Sequence, residues 1–121
     1  MTHYHDSTDL DYLAEVKAAA PREFQAWARL DGTVGIEDGA IPRKYRELIA
    51  LSVAHTTQCP YCLDIHTAAA VEAGASKAEV AEAALLAAAL RSGGAGAHAA
   101  LTMRLYDQHS QQDAPEEGES A

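Results

Sequence analysis

At 121 residues, 48% hydrophobic and 22% charged, the chain has the size and composition of one globular domain. Its 18 acidic residues against 9 basic ones give a formal charge of -9, which repels phosphate backbones and excludes nucleic acid as a partner. No apolar run reaches membrane-spanning length and the stretch Met1 to Asp11 is polar, so neither a transmembrane helix nor a secretory signal is expected, and the expected location is the cytoplasm.

Ser7, Thr8 and Asp9 offer capping oxygens ahead of Leu10, Leu13 and Val16, and predict a short first helix ending near Ala20. Pro21 opens a second helix, because a proline at the first helical position loses no needed hydrogen bond; Phe24, Trp27 and Ala28 follow at helical spacing. Gly39 to Pro42 reads as a loop. From Pro42 to about Thr57 the chain begins charged and then runs apolar on nearly every side between Leu48 and Ala54, the pattern of a buried helix.

Cys59 is the expected N-cap of the next helix, with Pro60 at its first position, and Gly74 supplies a left-handed stop. Ser76 and Glu79 form a capping-box pattern for the helix after it, whose wholly apolar stretch Ala83 to Leu90 reads as buried. Gly93, Gly94 and Gly96 mark either a break or a close helix crossing, after which His98 to Tyr106 resumes helical spacing. Residues 108–121 carry almost nothing apolar and are expected to form a disordered acidic tail behind a helical domain spanning residues 1–107. With no strand-period alternation, the fold class is all-α, a single-domain helical bundle. Much of the apolar content is alanine, whose side chain fills little volume, so a neighbouring copy is expected to complete the core.

The chemistry concentrates in the segment CPYCLDIH. Cys59 and Cys62, three residues apart at a helix start, have their Cα atoms at roughly the 5 to 6 Å that a disulfide tolerates. Unsatisfied N–H groups and the positive end of the helix dipole favour a thiolate there. His66, four residues after Cys62, shares its helical face and is placed to accept its proton. Glu47, at the entrance of the apolar helix, either emerges into solvent, the commoner outcome for a lone glutamate, or faces a polar pocket. His55 reads as a helix C-cap and Tyr61 as a packing residue.

Glu47, eleven intervening residues, Cys59-x-x-Cys62, three more and His66 make a pattern that resembles the alkyl hydroperoxidase D-like branch of the carboxymuconolactone decarboxylase-like proteins. The similarity extends from about Tyr12 to Asp107, including the stretch IPRKYRELIALSVAHTTQCPYCLDIHTAAAVEAGASKAEVAEA. The resemblance implies a helical fold assembling as homo-trimers or homo-hexamers, and a thiol-dependent peroxidase that needs no cofactor or metal. Its partners would be a hydroperoxide substrate and a dithiol reductant such as a lipoyl or thioredoxin-like protein. By position, Cys62 would be the peroxidatic cysteine, Cys59 the resolving one, and Glu47 and His66 members of a proton relay. The best-studied branch has a second histidine where this chain has Tyr61, which leaves Tyr61, His55 or water to complete the relay.

Three other readings compete. A disulfide reductase or redox partner would use the same dithiol on a protein substrate. A structural zinc site would draw on Cys59, Cys62, His66 and His55, although such sites usually take ligands from two separated pairs. A lactone decarboxylase fits least, since those members do not rely on a Cys-x-x-Cys pair.

Overall fold

A computed structural model of the chain describes residues 4–113. Among them the regular elements are all helical: a 3-10 helix Ser7–Tyr12, α1 Leu13–Ala19, α2 Pro21–Asp31, α3 Arg43–Thr57, α4 Pro60–Glu72 and α5 Lys77–Gln112. None of these helices is long and apolar enough to cross a membrane. The chain divides into two compact units, Met1–Ala88 and Ala89–Ala121, with α5 contributing residues to each.

In the first unit the N-cap is Asp6, one residue before the expected candidates. Its carboxylate accepts the backbone N–H of Thr8 at 2.9 Å, while Asp9 reaches back to the N–H of Asp6 at 2.8 Å. This reciprocal box winds Ser7–Tyr12 as a tight 3-10 helix ahead of α1. Pro21 begins α2 as expected, and α1 and α2 pack together.

The main packing in this unit is α3 against α4. Gln58 takes a left-handed conformation at φ 56°, and the N–H of Cys59 donates to the carbonyl of Ala54 at 3.1 Å, so α3 stops abruptly and the chain turns straight into α4. Gly74 at φ +89° ends α4 in the same manner, with the Ala75 N–H donating to the Ala70 carbonyl at 2.9 Å. Ser76 and Glu79 then exchange the two expected capping hydrogen bonds. The start of α5 is tied to α3 by Ser52 Oγ, which donates to the Ala83 carbonyl at 2.9 Å, and by the Lys44–Glu79 ion pair at 3.0 Å.

The core of this unit is thin. Leu51, Ala54, Ala70, Ala83 and Ala87 are its buried apolar residues, together with one buried acid, Glu47. The expectation that Leu48 to Ala54 is buried all round is corrected: Leu51 and Ala54 face inward, while Ile49 and Val53 are about half exposed and line a cavity. The expectation for Ala83 to Leu90 is corrected likewise, since only Ala83 and Ala87 are buried and Leu85 and Leu86 are 70% and 61% exposed. The reason is periodicity. A helix turns inward every third or fourth residue, and the small inward residues let the helices approach closely while the large ones are left outside.

In the second unit α5 continues without interruption through Gly93, Gly94 and Gly96. The helix does not break at these glycines, and among the described residues a Cβ at any of the three would meet nothing within 4 Å. Around them His98 Nδ1–H donates to the Gly94 carbonyl at 2.6 Å, and Thr102 Oγ1–H donates to the His98 carbonyl at 3.0 Å. Leu101, Met103, Leu105 and Tyr106 are all exposed. The helix runs to Gln112, five residues into the expected tail; residues 114–121, the rest of that tail, lie outside the described residues.

Candidate active site

Cys59 caps α4. Its Sγ accepts the backbone N–H of Cys62 at 3.2 Å, the role an oxygen plays in an ordinary N-cap, so a sulfur sits where the helix offers unsatisfied donors. Both cysteines are reduced and half-buried. Cys62 lies in the first turn of α4, on the wall of a cavity of about 380 Å³ that His66 also lines. The remaining wall is mainly apolar, from Val34 and Ile41 of the α2–α3 connection and Ile49, Ala50, Val53 and Ala54 of α3.

Of the two outcomes that the sequence left open for Glu47, the structure takes the less common one. Far from emerging into solvent, it is 2% exposed, and its Oε2 lies 2.7 Å from His66 Nδ1. A carboxylate can only accept, so Nδ1 carries the hydrogen and donates it, which leaves Nε2 as the proton-accepting nitrogen of the ring. The helices explain the pairing: α3 supplies Glu47 and the packed α4 supplies His66. Room for the carboxylate comes from Gly35, where a Cβ would stand 3.2 Å from Glu47 Oε1. On the other side Arg43, one turn earlier on α3, holds its Nε 3.9 Å from Oε1 and pairs with Glu37 at 3.2 Å.

The thiolate expected from the helix start does not extend to Cys62. Burial pushes its thiol up from 9.0 to about 11; its hydrogen bond with Cys59 and the nearby charges of Cys59 and Asp31 act in the same direction, and only a backbone hydrogen bond opposes them. At neutral pH the protonated thiol of Cys62 therefore prevails. The donors at the helix start serve Cys59 instead.

Tyr61 and His55 stand apart from the Glu47–His66 pair. The Tyr61 hydroxyl donates to Asp9 Oδ2 at 2.7 Å, which fastens the 3-10 helix to α4. That bond holds the Asp9 carboxyl below its ordinary value and the Tyr61 phenol above its own. His55 lines a different cavity, with His5, Pro60 and Leu63. Among the described residues, no group of three histidine, cysteine or acidic side chains is placed to hold a metal ion.

Sequence reasoning missed Arg43, Arg46 and Gly35. The i,i+4 spacing of Arg43 and Glu47 was available as a signal for the first. Arg46 lines the cavity and pins its rim, donating from Nε to the Ile41 carbonyl at 3.1 Å and from Nη1 to the Thr33 carbonyl at 3.2 Å. No local pattern announces a contact with a carbonyl thirteen residues away. Gly35 owes its place to the fold of the connection before α3.

Fold and site together define a small helical protein with a cavity-facing thiol, a second thiol three residues before it, and a buried carboxylate–imidazole pair. The chain belongs to the carboxymuconolactone decarboxylase family, whose model matches residues 21–104. It is similar to a Paracoccus denitrificans protein described as uncharacterized protein 4 in cox locus, at 41% identity over 96 residues, covering 79% of this chain and 86% of that one. It is also similar to a Mycobacterium tuberculosis protein named alkyl hydroperoxide reductase, at 34% identity over 80 residues, covering 51% of this chain but only 23% of that protein.

Proposed function

We propose that the protein is a thiol-dependent peroxidase in which Cys62 is oxidised and Cys59 resolves it. The observation that carries this reading is the buried Glu47–His66 hydrogen bond at the cavity on whose wall Cys62 lies. A protonated thiol is a weak nucleophile, and a carboxylate-oriented imidazole one helical turn away is the base it requires. His66 takes the Cys62 proton as sulfur attacks the O–O bond of a hydroperoxide. The alcohol leaves with a proton, and Cys62 becomes sulfenic acid. Cys59 then attacks that sulfur, water leaves and the disulfide forms. An external dithiol reduces the disulfide and is itself oxidised.

The cycle requires a compartment that keeps the pair reduced, as the cytoplasm does. It also proceeds in a homo-oligomer: Leu85 and Leu86 on the first unit, and Leu101, Met103 and Leu105 on the second, are apolar surfaces that a neighbouring copy would cover. The test is hydroperoxide consumption in the presence of a dithiol. Cys62→Ser is expected to abolish it; consumption at the parental rate in that variant rules the assignment out.

One observation favours a second reading. Cys59, with its sulfur at the helix start, holds the position from which a thiolate attacks protein disulfides. In that case Cys62→Ser would trap a mixed disulfide at Cys59 with a protein substrate, and reduction of protein disulfides would far outpace any response to hydroperoxide.

A further inference from the structure

Three cations open α3, and two of them are matched by acids: Arg43 by Glu37, Glu47 and Glu72, and Lys44 by Glu79. Arg46, the third, has no acidic partner among the described residues, although the chain carries 18 acids against 9 Lys and Arg. Its guanidinium nevertheless has a fixed position. The Thr33 and Ile41 carbonyls hold Nη1 and Nε at the cavity wall, and neither contact uses Nη2. Gly39 leaves it room, since a Cβ at that position would collide with the guanidinium group and with Nη2 first of all. The cavity thus combines a thiol and an imidazole with apolar walls and one held, unneutralised cation.

We propose that this cavity receives an organic hydroperoxide that also bears a carboxylate, of the fatty-acid hydroperoxide class, with the carboxylate on Arg46 and the alkyl chain along Ile41, Ile49 and Val53. The inference rests on the peroxidase reading and specifies its substrate. Guanidinium suits this role because Nη2, which neither carbonyl takes, donates a charge-assisted hydrogen bond to a carboxylate, and the group stays charged at every relevant pH. Apolar walls reward the chain for leaving water, and a charge without a partner among such walls gains from an anionic ligand. The step at sulfur is unchanged: the O–O bond breaks, Cys62 gains one oxygen, and the hydroxy acid leaves with the proton.

The test compares octanoic acid hydroperoxide with its methyl ester on the full chain supplied with a dithiol, in the parent, in Arg46→Gln and in Arg46→Lys. The acid should be preferred in kcat/KM by about ten- to a hundredfold in the parent, as a charge-assisted hydrogen bond allows. Arg46→Gln should abolish the preference and Arg46→Lys should keep part of it. Loosening of the rim alone would slow acid and ester equally.

A second measurement needs neither turnover nor a variant. Octanoate, but not methyl octanoate, should protect Cys62 of the parent from alkylation. Equal use of acid and ester by the parent, a preference surviving in Arg46→Gln, or protection by the ester as strong as by octanoate overturns the proposal. If octanoate protects while no hydroperoxide of either kind is consumed, the peroxidase reading falls, and with it this substrate class.

Discussion

Cys62 sits in an environment that opposes its ionisation, and that sets the work of the side chains around it. With its thiol held up at about 11, chiefly by burial, spontaneous thiolate is scarce at neutral pH, and the proposed cycle needs His66 to take the proton as sulfur attacks. His66→Gln should therefore slow hydroperoxide consumption by about a hundredfold or more at neutral pH. The deficit should shrink as pH approaches 11, where the thiolate forms unaided. A pH–rate profile checks this, and parallel profiles for parent and variant would refute the base role. The same thiol affects stability with a definite sign. Its folded value lies above its ordinary 9.0, so its contribution is fully present below 9.0 and is lost as pH rises through about 11. Urea midpoints of the parent should fall across that window more than those of Cys62→Ala.

Local sequence made the elements near the site readable. Pro60 after a capping residue, Gly74, and the Ser76–Glu79 box are decided within a few residues of chain, and each behaves as its chemistry dictates. The i,i+4 spacing of Cys62 and His66 puts both on the wall of one cavity. Burial was less readable because it depends on which neighbour a face meets. Its own neighbours in the chain left Glu47 open between solvent and a polar pocket, which the packing of α4 decides, and Leu85 and Leu86 read as core although none of the described residues of the first unit covers them.

Two substitutions test this level. Leu51→Ala removes the one large side chain that is fully buried among the described residues and should cost about 3 kcal/mol in urea unfolding. Tyr61→Phe removes the hydrogen bond to Asp9, so amide exchange over residues 8–12 should quicken while peroxide consumption stays near the parental rate, because Tyr61 is engaged with Asp9 rather than with His66. A large loss of activity in Tyr61→Phe would place the phenol in the relay after all.

For the whole molecule, the alanine-rich composition and the exposed large residues make one argument. Helices packed through Ala54, Ala70, Ala83 and Ala87 approach closely but bury little area, and the leucines left outside supply the area that association would bury. If the proposed homo-oligomer forms through this face, the parent should scatter light as an assembly and Leu85→Lys combined with Leu86→Lys should lower its mass toward the single chain; a parent with the mass of one chain, or a variant with unchanged mass, contradicts that.

Which sulfur meets the oxidant decides between a peroxidatic Cys62 and a peroxidatic Cys59. One equivalent of hydroperoxide added to Cys59→Ser and to Cys62→Ser, followed by a sulfenic-acid trap and mass spectrometry, answers that. Trapped adduct on Cys62 in the first variant and an unmodified thiol on Cys59 in the second is the predicted result. Oxidation of Cys59 as fast as, or faster than, Cys62 would contradict it.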